Sequence, residues 1–252
     1  MKHIIFCTYP SIYSSIVLQQ LLNSQHIHVD AIIASTVTKK NSRFPSLSIL
    51  KNSGLRYASY LWIITTLFGL LPRKRLLSVP EMAKNKDIPY FKTSDINNKT
   101  SLSFLKQHPA SHLLSAHFNQ IIDTSLSGFS ERQCINIHPS LLPKNKGLDP
   151  VFYALLREET QQGITLHSIS DDIDGGDIYA QQEMETLLGS SLFTVNTQLF
   201  EMGSKLFIQV LDIEKDAMPQ DTEGNYDSWP QRKDCRKVNN MINLRHFFST
   251  IY

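Results

Sequence analysis

From Cys134 the chain reads C-I-N-I-H-P-S-L-L-P-K-N-K-G-L-D-P, and from Gly163 it reads G-I-T-L-H-S-I-S-D-D-I-D-G-G. Asn136 and His138 lie two positions apart in an apolar run, and residues at i and i+2 of a strand project to the same face. The second run, Gly163 to Ile169, stops at an acidic turn carrying Asp171, Asp172 and Asp174 before Gly175-Gly176. An amide donor, an imidazole and a carboxylate at neighbouring strand ends are equipment for acyl chemistry. The first two can donate to a developing oxyanion, and the imidazole or carboxylate can move a proton. The same residues have a plainer use, because Asn and Asp are common in turns and caps. His138, His167, Asp172 and Asp174 also offer ligand atoms, but the two histidines among them do not stand in HxxxH or HxH spacing and no metal is expected.

The flanking sequence supplies elements to hold such a site. Lys2 to Thr8 reads as a strand, Ser11 to Asn23 as a helix with Ile12, Ile16, Leu18, Leu21 and Leu22 at helical spacing, and Val29 to Ala34 as a second strand. Two β-α repeats predict an α/β fold, a Rossmann-like, mostly parallel sheet flanked by helices. The turn Thr8-Tyr9-Pro10-Ser11 has no glycine, so the fingerprint of a dinucleotide site is missing and NAD or FAD is not expected. Further elements are expected at Ser78–Lys86 (helix), Ile88–Phe91 (strand), Leu102–Gln107 (helix) and His112–Ala116 (strand). A helix running through Leu126, a strand at Cys134–Ile137 and a helix at Asp149–Glu158 follow. Strands near 164–169 and 177–184 and a long helix over Leu192–Leu211 complete the reading.

Composition sets the class. The chain has 252 residues, 41% hydrophobic and 19% charged, which suits one large globular unit with an appendage. A net charge of +2 is too small to point to nucleic acid. Cys7, Cys134 and Cys235 are scattered, fitting a reducing cytoplasm and no disulfide framework. The first residues read as a strand and not as a signal peptide. Residues 35–54 are polar and basic and are expected to form a loop. Leu55–Leu71 carries one charge, Arg56, ahead of Pro72-Arg73-Lys74-Arg75. It reads as a buried or homodimer-interface helix, with peripheral contact to an anionic membrane as the alternative and a span disfavoured by its length.

Taken together, N-x-H-P-S-L-L-P, a Gly-containing loop, D-P before a helix, G-x-T-x-H and D-x-D-G-G resemble the active-site half of the 10-formyltetrahydrofolate-dependent formyltransferases. That group includes methionyl-tRNA, glycinamide ribonucleotide and amino-sugar formyltransferases, and the resemblance covers about residues 110–185. It implies Asn136, His138 and Asp174 as the catalytic set. It implies a folate pocket made from Phe118, Asn119, Gln120, Ile121 and Ile122 and from Ser170, Asp171, Asp172 and Ile173. It also implies 10-formyltetrahydrofolate as formyl donor, a cis Leu142–Pro143 bond and a small-molecule amine as acceptor.

Departures from the named relatives bear on the acceptor. The turn after the first strand lacks the nest of N–H groups on which glycinamide ribonucleotide formyltransferases hold a phosphate. The stretch beyond the long helix is too short for the C-terminal barrel of methionyl-tRNA formyltransferases. A nucleotide-linked amino sugar is the first expectation, with an amino-acid or siderophore-type amine behind it. A formyltetrahydrofolate hydrolase and a non-catalytic, membrane-associated partner protein are the readings from other classes. The organisation expected is a catalytic domain over residues 1–190, with an inserted hydrophobic segment near 44–80, then a C-terminal helix and tail over 191–252. Tyr226 and Trp229 in that tail are expected to pack together or to stack on a ligand.

Overall fold

The chain is described by a computed structural model covering residues 1–36, 45–212, 217–220 and 224–252. In chain order the first half runs β1 (Lys2–Thr8), α1 (Ile12–Asn23), β2 (Ile27–Ser35), α2 (Pro45–Ser53), α3 (Leu55–Trp62), a π-helical turn (Ile63–Leu67), α4 (Phe68–Leu70), α5 (Val79–Asn85), β3 (Tyr90–Thr93), α6 (Lys99–Gln107) and β4 (His112–Ala116). The second half runs β5 (Gln133–His138), β6 (Lys146–Gly147), α7 (Pro150–Leu156), β7 (Gln161–Ser168), β8 (Ile178–Glu185), α8 (Leu192–Asp212), β9 (Tyr226–Asp227), α9 (Arg232–Cys235) and α10 (Leu244–Ile251).

Seven strands form one sheet in the order β3-β2-β1-β4-β5-β7-β8. The first five are parallel, and β7 and β8 are antiparallel to their neighbours. The order reverses between β1 and β4, and in open α/β sheets ligands bind at the carboxyl ends beside such a reversal. Along β1, Ile4 and Phe6 enter one apolar cluster while Ile5 and Cys7 enter the other. A strand covered on both faces shows a continuous apolar run, which is why β1 is legible as a strand without alternation. Ser11 closes the entry to α1 with a capping box shared with Ser14.

The hydrophobic stretch after Gly54 is one bent helical rod made of α3, the π-turn and α4. Tyr57, Tyr60, Ile64 and Phe68, three or four residues apart, are buried in the main cluster, whereas Leu55, Trp62 and Leu70 are exposed. The rod is therefore packed along one face, and no helix among the described residues is long and apolar enough to cross a membrane. Two local expectations are corrected. Within the stretch expected to be a loop, residues 45–53 form α2, opened by Pro45 in a first-turn position that suits proline; residues 37–44 lie outside the described residues. The helix expected through Leu126 is absent. Turns take its place, because the Asn97 side chain binds the Ile121 carbonyl and the Asp123 N–H and so spends groups that a helix would need.

The expected division at residue 190 falls in the turn before α8, and α8 itself packs on α1, β5, β7 and β8 within the main cluster. Close approach is set by Gly203: a β-carbon there would stand 2.6 Å from the Ile137 Cγ2 and 2.8 Å from the Ile164 Cγ1. Gly203→Ala gains about 1 kcal/mol in helix propensity and loses about 1–3 kcal/mol to overpacking against β5 and β7. The expected outcome is a net loss of about 1 kcal/mol in urea unfolding, in place of the gain that propensity alone predicts.

Candidate active site

β5 delivers Asn136 and His138 to the same side of the sheet, as their spacing requires. Antiparallel pairing places Asn136 opposite His167 and His138 opposite Thr165. The Asn136 Nδ2 stands 3.0 Å from the His167 Nε2, while the His167 Nδ1 lies 2.8 Å from the Ser168 carbonyl. Both contacts are satisfied by one neutral tautomer of His167, which donates from Nδ1 and accepts from Asn136 at Nε2. Burial, followed by the neighbouring His138 charge, holds His167 down to about 4, consistent with that neutral form. His167 thus fixes the Asn136 amide with its donor side known.

The His138 Nε2 is 3.1 Å from the Asn145 carbonyl and its Nδ1 is 3.4 Å from the Asp174 Oδ1. Both ring nitrogens face acceptors, an arrangement fully satisfied when the ring carries two N–H groups. Asp174 is held in turn. Its Oδ2 accepts the Gly147 N–H at 2.9 Å, and its Oδ1 also lies 3.8 Å from the His167 Nε2. Asp174 sits at φ +52 in the acidic turn, a left-handed conformation that Asp tolerates better than most residues. Gly147 needs to be glycine on two counts: its φ is +116, and a β-carbon would fall 2.0 Å from the Asp227 carbonyl of β9, which pairs with β6. The Leu142–Pro143 bond is cis.

Asn136, His138 and Asp174 are therefore brought together. All nine residues expected at a folate pocket, Phe118 to Ile122 and Ser170 to Ile173, line a single cavity of about 430 Å³ beside them. Within it, Gln120 donates to Ser35 Oγ and to the Thr93 carbonyl and accepts from the Ile96 N–H, so its amide ties the loop after β4 to the ends of β2 and β3. A second cavity of about 280 Å³ adjoins the first at Asn136 and Asp174 and is lined in part by α3 and the π-turn. Both cavities are walled by Phe118, Asn119, Asn136, Gly147, Leu148, Asp174 and Trp229.

Sequence reasoning left several of these residues out. The Gly147 N–H is a backbone donor and has no sequence signal of its own. Tyr57 and Trp62 lay in a stretch read for its hydrophobicity. Asp149 was visible only as D-P ahead of a helix. It caps α7 by accepting the Phe152 N–H at 3.2 Å and takes the Tyr57 O–H at 2.6 Å. Asp149 lines the smaller cavity, and burial pushes its carboxyl up to about 6. As for metals, His138, His167 and Asp174 bring ligand atoms within 4.8 Å of one another, as do His3, His28 and Asp30 at the surface. An ion at the first trio would have to take the His167 Nε2 from Asn136.

Two buried groups set opposing pH dependences. Asp149 is raised from 3.8 to about 6, so the folded state binds the proton more tightly than the unfolded chain and stability falls as pH rises through that window. His167 is lowered from 6.5 to about 4, so stability rises with pH between those values. Asp149→Asn keeps a capping residue and removes only the falling limb. Its stability relative to the parent should climb between pH 4.5 and 7 by on the order of 2 kcal/mol, reduced from the full shift by contact with cavity water. Urea unfolding at the two pH values measures it.

Comparison with known proteins finds relatives of the chain and of its fold. A methionyl-tRNA formyltransferase from Sulfurihydrogenibium sp. (strain YO3AOP1) is 29% identical over 178 residues, covering 69% of this chain and 57% of the relative. The chain thus spans little more than half the length of that relative. Among solved structures, a sugar 3N-formyl transferase (WlaRD) crystallised in the presence of dTDP and 5-N-formyl-THF superposes with a TM-score of 0.57 at 19% identity, over 97% of this chain and 72% of that one. Glycinamide ribonucleotide transformylase 1 from Symbiobacterium toebii gives a TM-score of 0.60 at 16% identity, over 88% and 95% of the two chains. These likenesses establish the shared α/β fold. The family model described as "Formyl transferase" matches residues 18–211, from α1 through α8 with the whole Asn136, His138 and Asp174 cluster inside it, and the chain belongs to that family.

Proposed function

We infer that the protein transfers a formyl group from 10-formyltetrahydrofolate to a primary amine of a small molecule, a nucleotide-linked amino sugar being the leading acceptor class. The observation that carries this reading is the meeting of two cavities at Asn136 and Asp174. A group-transfer enzyme with two substrates needs two compartments that share the reacting atoms, and holding both partners there removes much of the entropic part of the barrier. The larger compartment takes the folate and the smaller one the amine.

The chemistry follows from the side chains. The amine nitrogen attacks the formyl carbon and a tetrahedral intermediate forms, its oxygen gaining negative charge. Asn136, with its amide turned by His167, and the His138 Nε2–H, exchanging the Asn145 carbonyl for the oxyanion, donate hydrogen bonds to that oxygen, an interaction of about 3 kcal/mol per well-placed donor. Asp174 keeps His138 oriented, and it takes the proton released by the attacking amine directly or through water. The bond from carbon to the folate N10 then breaks, N10 receives a proton from His138, Asp174 passes to His138 the proton it took from the amine, and the formamide and tetrahydrofolate leave. Atoms and charge balance with no further reagent.

Two neighbouring readings are separated by the same assay. The curated relatives named above are methionyl-tRNA formyltransferases, and water in place of the amine would give a hydrolase. Incubating the protein with 10-formyltetrahydrofolate, with and without a panel of amines that includes nucleotide-linked amino sugars and methionyl-tRNA, and following tetrahydrofolate release, distinguishes them. Release without any amine favours the hydrolase, and preference for the charged tRNA favours the second reading. Asn136→Ala, His138→Ala and Asp174→Ala should each lower transfer at least about 100-fold while circular dichroism shows the fold intact. Near-normal transfer by folded His138→Ala refutes the assignment.

A further inference from the structure

The second trio of histidines and carboxylate, His3, His28 and Asp30, has no part in the chemistry above. His3 lies near the start of β1 and His28 near the start of β2, and the parallel register sets them side by side. Neighbouring strands run about 4.8 Å apart, and the two imidazole centroids are 5.1 Å apart. His3 stands five positions before Thr8, the last residue of β1. At about 3.3 Å per residue, roughly 17 Å of strand separates the trio from the carboxyl edge of the sheet. None of the three residues lines either cavity.

Asp30 is delivered by an irregularity in the same ladder. Ile4 pairs with Val29 but Ile5 pairs with Ala31, so Asp30 is an extra residue of β2 with no register partner on β1. Bulges are uncommon between parallel strands, and they re-aim the side chains they carry. Beyond this one, Ala31 and Ile33 join the apolar cluster of Ile5 and Cys7, which leaves a carboxylate at the end of that cluster facing two imidazoles. The His3 Nδ1 is 2.7 Å and the His28 Nε2 3.6 Å from the same Asp30 oxygen, Oδ1. A hydrogen bond donated by His3 accounts for the first contact; the second ring is left turned to an oxygen already in use. The Asp30 side chain is 16% exposed and the two imidazoles 53% and 55%, so the carboxylate is sheltered while the rings open the site to solvent.

We propose that His3, His28 and Asp30 bind one late first-row divalent cation, zinc first among them, which clamps β1 to β2. Two imidazole nitrogens and a carboxylate oxygen are ligands that Zn²⁺ takes from proteins, whereas the hard Mg²⁺ ion favours oxygen alone. With metal–ligand bonds of about 2.0–2.2 Å, the ligand atoms of a tetrahedral site stand about 3.3 Å apart. The contacts of 2.7 and 3.6 Å bracket that value, and the three ligand atoms all lie within 4.8 Å of one another, so small rotations of side chains close the site. The ion takes the place of the proton between His3 and Asp30: a neutral imidazole carries its N–H on Nε2 instead and leaves Nδ1 as a ligand. Remaining coordination positions face solvent and take water. An ion at the trio around Asp174 would break the contact between Asn136 and His167; the surface trio gives up only the hydrogen bond that the metal replaces. Unfolding scatters ligands that lie up to 27 positions apart, so binding of the ion adds directly to the stability of the folded chain.

Untagged protein, stripped of metal by a chelator and dialysed, is titrated calorimetrically with zinc chloride and separately with magnesium chloride. Zinc should bind saturably with a Kd on the order of 10 µM, as suits a half-exposed site with three protein ligands, and magnesium at least about 100-fold more weakly. Asp30→Asn and His28→Gln should each weaken zinc binding at least about tenfold, in line with the loss of one ligand of three. Zinc at about a hundred times its Kd should raise the Tm of the parent by about 5 °C or more, and that of either variant by less than half as much. No saturable zinc binding below about 1 mM, or equal binding of magnesium, overturns the site. Zinc binding undiminished in both variants places the ion elsewhere and overturns it too, and undiminished binding in Asp30→Asn alone removes the carboxylate from the assignment. Should Asp30→Asn not fold, the double variant His3→Gln/His28→Gln, which alters only half-exposed rings, decides by the same measurements.

Discussion

One carboxylate fastens this site together. Asp174 receives the Gly147 N–H on one oxygen and turns the other toward His138 and His167, so three separate stretches of chain meet at a single side chain. Buried charge is costly unless it is hydrogen-bonded and faced by opposite charge. The rest of the arrangement can be understood as what that carboxylate demands. The Gly-Gly turn brings it in, β6 supplies a backbone donor, and β5 brings an imidazole with a second N–H already spent on the Asn145 carbonyl. His167 has the opposite character: driven neutral by burial, it acts as an acceptor and so decides which way Asn136 points.

Much of this was legible in the sequence. Asn136 and His138 were recognisable because a period of two is geometrically strict in a strand. The acidic turn was recognisable because D-x-D-G-G ends an apolar run, and the choice of Asp174 among its three aspartates came from the family resemblance. The residues expected at a folate pocket came from resemblance rather than from physics, and they line one cavity. The two misread segments fail in opposite directions. Pro45–Ser53 is rich in residues that loops favour, and the stretch through Leu126 in residues compatible with a helix; in the second, tertiary hydrogen bonds from Asn97 override local propensity.

The smaller cavity was the least legible part. It is lined by α3 and the π-turn, by β5 and α7, and by Trp229, so no local window of sequence contains it. Hydrophobicity made Leu55–Leu71 conspicuous, but apolar content alone does not say whether a helix faces lipid, a partner or its own core. The buried positions Tyr57, Tyr60, Ile64 and Phe68 resolve that for one face of the rod. Tyr57 is also chemically committed, linking the rod to α7 through Asp149.

The β6–β9 ladder has a temporal consequence. Gly147 and Asp227 are paired although about a third of the chain separates them, and Trp229 follows directly to wall both cavities. During synthesis from the N-terminus, the sheet, Asn136, His138 and Asp174 are all complete while the outer wall has yet to be made. A chain that has reached only residue 185 carries Asn136, His138 and Asp174 but not the segment around residue 229 that walls both cavities.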